Sequence, residues 1–498
     1  MSPITLGREA VVAIDAGTTG VRARAFLGDT TSPFSSYQEF TQHFPKPGWV
    51  EHDPEEIWNA VVATLTEVVR ELRSRGLAIA AIGITNQRET VVAWDRATDK
   101  PLARAIVWQD RRTADRCTEL TPHLDAVRNV TGLVLDPYFS ASKIEWLIRH
   151  GNIKVTPSTA FGTIDSWLIW RLSGGRSFVT DSTNASRTML FDIRNNKWSD
   201  EMCEMFGISV DHLPRVVPSS GRCAETAAQG DLPAGIPISG IAGDQQAALF
   251  GQCCFVSGSA KNTYGTGSFL LMNIGDTCPP PSPGMLTTVA WDLGTGSLTY
   301  ALEGAIFVTG AAIQWLRDGL RIIDRASDIG PLAASVADSG GVVVVPAFTG
   351  LGSPWWDPRA RGSIFGITRG TTRAHIARAV VESIVYQVRD VAEAMTATSG
   401  VNLATLRVDG GAAVMDMLLQ LQADHLGCTV VRPSELETTA LGAALLAGLA
   451  EGLWSDLEHI ASSWRLDREF TPSPNGFEDV LYGEWKRGVD RSLNWSRD

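Results

Sequence analysis

The sequence predicts an α/β protein made of two similar halves that face one cleft, and three observations carry this. A chain of 498 residues is too long for one ordinary core and sets a prior of two domains of roughly 200 to 250 residues. A glycine-rich hairpin recurs near the start of each half, the mark of an internal duplication. A third glycine turn joins an apolar strand to a helix.

The first hairpin is VVAIDAGTTGVRARAF, residues 11–26. Residues 11–14 read as a buried strand, Gly17 and Gly20 mark a tight turn, and residues 21–26 read as a second strand. Asp15 closes the first strand. Asp, Gly and Thr are common turn formers, so an ordinary hairpin explains these residues. A phosphate cradle explains them as well: small residues admit backbone N–H groups to an anion, Thr18 and Thr19 add hydroxyl donors, and a carboxylate beside phosphates holds Mg²⁺. The spacing is not the Walker pattern, since no Gly-Lys-Ser/Thr follows. It is not the Rossmann fingerprint, which needs a helix where residues 21–26 are extended.

GSAKNTYGTGSFLLMN, 258–273, repeats this arrangement with the turn Gly265-Thr266-Gly267-Ser268. LRVDGGAAVMDMLLQLQADHLG, 406–427, reads as a strand, then Asp409-Gly410-Gly411, then a helix with Val414, Met415, Leu418, Leu419 and Leu421 on its apolar side. Glycines at that helix start leave room for a nucleotide against the backbone. The charged cluster HDPEEIW, 52–58, is a helix start and not a metal site: Asp53 is the N-cap, Pro54 is N1, and Glu56 at N3 completes a capping box. The two halves divide into residues 1–252 and 253–498.

Composition narrows the class. A formal net charge of −12 argues against a nucleic-acid partner, whose phosphates demand a basic face. The most apolar segment, residues 441–450, is too short to insert across a membrane. With no leader-like basic and apolar start, the expected location is cytoplasmic. The seven cysteines form no C-x-x-C pair and the eight histidines no H-E-x-x-H, which suits a reducing compartment and indicates no dedicated transition-metal site.

Polar residues gather at predicted strand ends. In PISGIAGDQQAALFGQ, 237–252, Asp244 stands between an apolar strand and a helix beginning near Gln245. It reads as an N-cap or as a base that takes a proton from a substrate hydroxyl. Arg88 and Glu89 follow the apolar residues 82–84 and offer a fork of donors and two acceptor oxygens. Trp108, Tyr138 and Phe269 are core residues or walls of a pocket, since a small hydroxylated substrate needs apolar walls beside convergent polar groups.

These segments resemble the FGGY carbohydrate kinases over almost the whole chain. YFSASKIEWLIRH, 138–150, and GSIFGITRGTTRAHIARAVVE, 362–382, are similar to the two family signatures, and PKPGWVEHDPEEIW, GITNQRET, VWQDRRT, TNASRTMLF, GIAGDQQAALFGQ, AKNTYGTG and VVPAFTGLGSPWWDPRARG resemble the branch that phosphorylates glycerol. The resemblance implies two duplicated ribonuclease-H-like domains of the actin-like ATPase type around a cleft that closes on ATP. It implies transfer of phosphate from MgATP to a terminal hydroxyl of glycerol, giving sn-glycerol 3-phosphate, in a homodimer or homotetramer. By position, Arg88, Glu89, Trp108, Tyr138, Asp244, Gln245 and Phe269 surround glycerol, with Asp244 the general base. Asp15, with Asp244, holds the metal ion. Thr18, Thr19, Gly20, Arg22 and Thr266 face the phosphates, and Gly310, Gln314, Gly411 and Met415 line the nucleoside side.

Three departures from the family pattern matter. DAGTTGVR replaces DQGTTSSR, so Ala16, Gly20 and Val21 remove side-chain donors near the phosphates. Met415 stands where an Asn commonly touches the base, which implies a relaxed preference for ATP. AAQGDLPAGIP, 227–237, lacks the basic residue of relatives inhibited by fructose 1,6-bisphosphate, and no histidine matches the phosphorylation site of others. The expectation is an enzyme insensitive to both controls. The competing readings are a kinase of the same family acting on a larger polyol or ketose, and a silent binding protein that kept the cleft.

Overall fold

The computed structural model describes residues 9–473 and 480–497. Its first large sheet contains β1 (Glu9–Ala16), β2 (Gly20–Phe26), β3 (Phe34–Glu39), β4 (Ala78–Asn86), β5 (Ser220–Glu225) and β6 (Pro237–Gly243), in the order β5-β6-β4-β1-β2-β3. The second contains β7 (Ser259–Tyr264), β8 (Ser268–Gly275), β9 (Leu286–Asp292), β10 (Leu298–Ile306), β11 (Thr405–Asp409), β12 (Thr429–Pro433) and β13 (Leu466–Phe470), in the order β9-β10-β8-β7-β11-β12-β13. Both sheets follow one plan. The strand that opens each hairpin, β1 or β7, pairs antiparallel with its successor and parallel with a strand that arrives later, β4 or β11. The repetition expected from the glycine turns is therefore a repetition of topology.

This plan gathers the chemistry at one sheet edge. β1, β4 and β6 run parallel, so their C-terminal ends lie together, with Asp15 and Ala242 both level with Thr85 of the strand between them. At a strand spacing of about 4.8 Å, Asp15 and the end of β6 stand about 10 Å apart. Asp244 follows β6 directly.

Helix α1 (Pro54–Ser74) starts where its cap residues predict, with the Asp53 carboxylate accepting the Glu55 N–H at 2.9 Å. The capping box does not form. Glu56 instead accepts the Thr41 N–H at 3.0 Å and ties the helix start to the loop after β3. A second correction concerns residues 411–426. A short 3-10 turn, Gly411–Val414, precedes the helix Asp416–Leu426, so Val414 and Met415 lie outside that helix and Val414 is 69% exposed. Gly410, at φ +88, turns the backbone away before a helix can begin.

Helix α2 (Asp244–Gly251) and helix α3 (Thr438–Ala450) form the junction of the halves. By sequence α3 belongs to the second half, yet it packs on α2 and on β1, β4 and β6 of the first sheet. Its residues 440–448 are all buried. That explains the apolar run at 441–450: the helix is enclosed on every side, and a helix so enclosed is apolar all round. Among the described residues no helix is long and apolar enough to cross a membrane. The core it completes mixes Val11, Ala13 and Phe26 with Leu271, Ala301 and Trp454. Close approach is possible only because glycine stands at the contacts. A Cβ on Gly83 would lie 2.1 Å from the Ala443 carbonyl oxygen, and one on Gly442 would lie 1.8 Å from that of Ala247.

Gly442→Ala tests this packing. Alanine raises helix propensity by about 1 kcal/mol, but overpacking costs typically 1–3 kcal/mol and wins where the neighbour is backbone. Urea unfolding should show a net loss of stability. The helical glycine Gly483 has no atom within 4 Å of an added Cβ, so Gly483→Ala should show none. Equal behaviour of the two variants would contradict the packing account.

Candidate active site

The first hairpin is held open by bonds that leave its turn accessible. The Gly17 N–H donates to the Gly20 carbonyl at 3.0 Å, and Gln87 donates from its backbone to Ala16 and from its side chain to the Gly17 carbonyl. The Thr18 hydroxyl accepts the Trp108 indole N–H at 3.0 Å, which fastens the turn to an expected wall of the acceptor pocket. Thr19 is exposed, with its hydroxyl 3.5 Å from that of Tyr37. Gly20 has a steric reason here, since a Cβ would lie 2.6 Å from the Tyr37 hydroxyl and 2.7 Å from the Gln38 carbonyl oxygen. Arg22 forms an ion pair with Glu437 and lies 5.4 Å from the Tyr37 ring centre.

Asp15 is half-buried at the end of β1, and its carboxylate accepts no hydrogen bond from any described residue. Burial first, then Asp244 and Glu437, push its carboxyl up from the usual 3.8 to about 7, against the pull of Arg22. A carboxylate short of donors and facing other carboxylates suits a cation. Among the described residues no cluster of three or more His, Cys, Asp or Glu side chains is arranged as a metal site, so a cation here would take its remaining ligands from water and phosphate, as Mg²⁺ commonly does.

Beside the residues expected to surround the acceptor lies a closed ring of buried charges. Arg88 donates to both carboxylate oxygens of Glu303, at 2.5 and 3.2 Å. Arg187 donates to Glu303 at 2.8 Å and, through Nε, to Glu89 Oε1 at 2.7 Å. Glu89 Oε1 is also 3.7 Å from Arg88 Nε, which closes the ring. All four side chains are at most 2% exposed. Burial alone would raise the Glu303 carboxyl, but Arg187 and Arg88 hold it down at about 2. Glu303 comes from β10 of the second half, while Arg88 follows β4, so the ring crosses the junction.

The other residues expected to line the acceptor, Trp108, Tyr138, Asp244, Gln245 and Phe269, are half-buried. Arg88 links several of them, lying 3.2 Å from Asp244 and donating to the Tyr138 hydroxyl at 3.1 Å. Tyr138 packs edge-on against Trp108 at 5.6 Å between ring centres. Gln245 accepts from Lys261, which also donates to Thr263 at 3.1 Å, the residue opposite Phe269 across the second hairpin. Asp244 is the first residue of α2 and not its N-cap, which is Gly243. Its carboxylate still accepts the Gln245 N–H at 2.7 Å. Burial raises the Asp244 carboxyl, opposed by Arg88, Lys261 and that N–H.

The remaining expected residues form a separate cluster on the second half. The N–H groups of Thr309 and Ala311 donate to the Thr266 carbonyl, and that of Gly310 to the Gly265 carbonyl, so the short helix Gly310–Gln314 rests on the second hairpin. A Cβ on Gly310 would lie 2.6 Å from the Gly265 carbonyl oxygen. Gln314 is exposed, one turn along from Gly310. Gly410, before Gly411, crosses the Tyr264 backbone closely, and Met415 Cγ packs beside Gly330. Four residues absent from the sequence-based set complete the picture: Arg187, Lys261, Glu303 and Glu437. A lone glutamate in the apolar run YALEGA was the legible sign of Glu303.

Two α/β domains of actin-like ATPase topology, a hairpin cradle on each, and a polar pocket between them define an ATP-dependent kinase. The models of the FGGY family of carbohydrate kinases match residues 10–251 for the N-terminal domain and 260–451 for the C-terminal domain; the chain belongs to that family. It is 54% identical over 493 residues to a glycerol kinase of Dechloromonas aromatica, covering 98% of each chain. It is 53% identical over 498 residues to glycerol kinase 2 of Thermotoga maritima, covering 98% of this chain and 99% of the relative. Among solved structures, it superposes on Plasmodium falciparum glycerol kinase with ADP at a TM-score of 0.93 and 35% identity, covering 98% of each chain.

Two tests address the site's electrostatics. Glu303→Gln leaves Arg88 and Arg187 without their shared carboxylate, and breaking a buried pair costs about 3–5 kcal/mol; chemical denaturation should show a loss of that order. For Asp15 the folded carboxyl titrates near 7 and the unfolded one near 3.8, so ionisation destabilises the metal-free fold as pH rises between these values. Asp15→Asn should gain stability over the wild type from about pH 4 to 7 and keep a constant lead above, in thermal unfolding with chelator. A lead that does not change with pH would refute the perturbed carboxyl.

Proposed function

We propose that this protein is a glycerol kinase: it transfers the γ-phosphoryl group of MgATP to a terminal hydroxyl of glycerol and releases ADP and sn-glycerol 3-phosphate. The identities of 54% and 53% to full-length glycerol kinases support the substrate. The observation in the molecule that carries the reading is Arg88, whose guanidinium reaches Asp244, Glu89 and Tyr138 together. A base, an acceptor for other hydroxyls and an aromatic wall thereby face one small space. Trp108, Tyr138 and Phe269 on its sides favour three carbons over five.

In the mechanism we infer, Asp244 accepts the proton of the attacking hydroxyl as the new O–P bond forms. Arg88 and Lys261 keep its carboxyl ionised against the cost of burial. Backbone N–H groups of the turns at 17–20 and 265–268 receive the phosphate oxygens, with Thr18, Thr19 and Thr266 adding hydroxyls. Arg22 exchanges Glu437 for phosphate. Mg²⁺, when bound by Asp15 with Asp244 beside it, would neutralise phosphate charge and orient the transferred group. Phosphoryl transfer needs mainly such positioning and charge compensation. Gly310, Gln314, Gly411 and Met415 line the nucleoside side. The family resemblance also supports a boundary at 252/253 and a cytoplasmic homodimer or homotetramer.

A coupled ADP-release assay with glycerol, dihydroxyacetone, erythritol, xylitol, D-xylulose and L-ribulose tests the substrate. Glycerol should give the highest kcat/KM, and turnover of a five-carbon substrate alone would overturn the pocket reading. A general base contributes about 10²- to 10⁴-fold, so Asp244→Asn should lose at least that in kcat while still binding ATP. Unaltered turnover would remove the role given to Asp244.

A further inference from the structure

Glu89 is held in a conformation that its own sequence does not favour. Its backbone is left-handed, at φ +62, a region that costs a residue with a Cβ and persists only where the surroundings impose it. Two groups impose it here. Ser140, the first residue of the helix Ser140–His150, donates its hydroxyl to the Glu89 carbonyl at 3.0 Å. Arg187 donates Nε to Glu89 Oε1 at 2.7 Å. The other donors of the charge ring are committed except Arg187 Nη1, which is buried without a partner: Glu303 receives three guanidinium N–H bonds, and Arg88 spends its two terminal nitrogens on Glu303, Gln246 and Tyr138. Glu89 Oε2 is different, since no described residue donates to it.

From this we propose that Arg187 and Ser140 are positioning residues for acceptor recognition, aiming Glu89 so that Oε2 is reserved for the two hydroxyls of the acceptor that do not react. The inference rests on the glycerol-kinase reading and deepens it. Arg88 Nε lies between Asp244, at 3.2 Å, and Glu89 Oε1, at 3.7 Å, so a hydroxyl at Asp244 leaves its neighbours directed at Glu89. One carboxylate oxygen has the lone pairs for two donors. A vicinal diol beside the reacting carbon matches that pattern, and a substrate lacking either hydroxyl removes one of the two donors to this carboxylate oxygen, which is costly. Arg187 cannot be exchanged for lysine without loss, because the planar fork serves Glu89 and Glu303 from one group and an ammonium does not.

The test compares kcat/KM for glycerol with that for propane-1,2-diol and propane-1,3-diol in wild type, Arg187→Lys and Ser140→Ala. Sites built to bond a hydroxyl reject analogues lacking it strongly, and the wild type should prefer glycerol by about 10²-fold or more. Arg187→Lys should lower that preference at least tenfold through a raised KM for glycerol, with the KM for ATP unchanged; Ser140→Ala should move it the same way by less. A merely structural role would reduce all three substrates together and leave the preference intact. Should Arg187→Lys not fold, the Ser140→Ala ratio decides alone. A wild type active on glycerol whose preference neither variant changes overturns this inference only. A wild type silent on glycerol overturns the reading beneath it and the inference with it.

Discussion

Four buried charges drawn from both halves of the chain are the constraint on which the junction of the halves depends. Arg88, Glu303, Arg187 and Glu89 balance in sign and pair at distances of 2.5 to 3.7 Å, with Arg187 Nη1 alone left without a hydrogen-bond partner. Burying any one of them alone would be prohibitive, because an isolated ion loses its water without compensation. Together they are tolerable, and they make the ring rigid. The price is dependence: the ring is complete only when β10 of the second half presents Glu303 to Arg88, which follows β4, and to Arg187, which follows the short helix Ser182–Ala185.

That dependence explains why the junction is built from small residues. Helix α3 lies against the first sheet with glycine at the closest contacts, so the two halves approach backbone to backbone. A junction of large side chains would hold the sheets further apart and withdraw Glu303 from the guanidinium groups. The ion pairs Arg22–Glu437 and Arg24–Glu435 tie β2 to the segment leading into α3 along the same seam. Asp15 and Asp244 therefore share one structural origin: the C-terminal ends of parallel strands in the first sheet.

The division of labour between the carboxylates follows from their neighbours. Asp15, half-buried, has no donor to its carboxylate among the described residues and is pushed up to about 7 by burial and by other carboxylates, whereas Glu303, fully buried, is held at about 2 by two guanidinium groups. Asp244 lies between these extremes, with Arg88 and Lys261 opposing its burial. Type of residue did not set these roles. Environment did: one carboxyl is pushed up, one is drawn both ways by burial and cations, and one is held down.

Much was legible in the chain itself. Alternation and glycine spacing located both hairpins, because turns and strand periods are local properties, and the position of Asp15 and Asp244 after apolar runs placed them at strand ends. The local signals also misled where tertiary contacts competed: Glu56 left the capping box for Thr41, and Gly410 delayed the helix expected from Val414. Arg187, Lys261 and Glu437 could not be chosen from sequence, and Glu303 was marked only by standing alone in the apolar run YALEGA, since each gains its meaning from a partner elsewhere in the chain. The sequence by itself determined the strands, the turns and the kinds of group available, because these follow from residues within a few positions of one another. Only the tertiary structure decided which charges meet, since burial and pairing arise where the two halves close on each other.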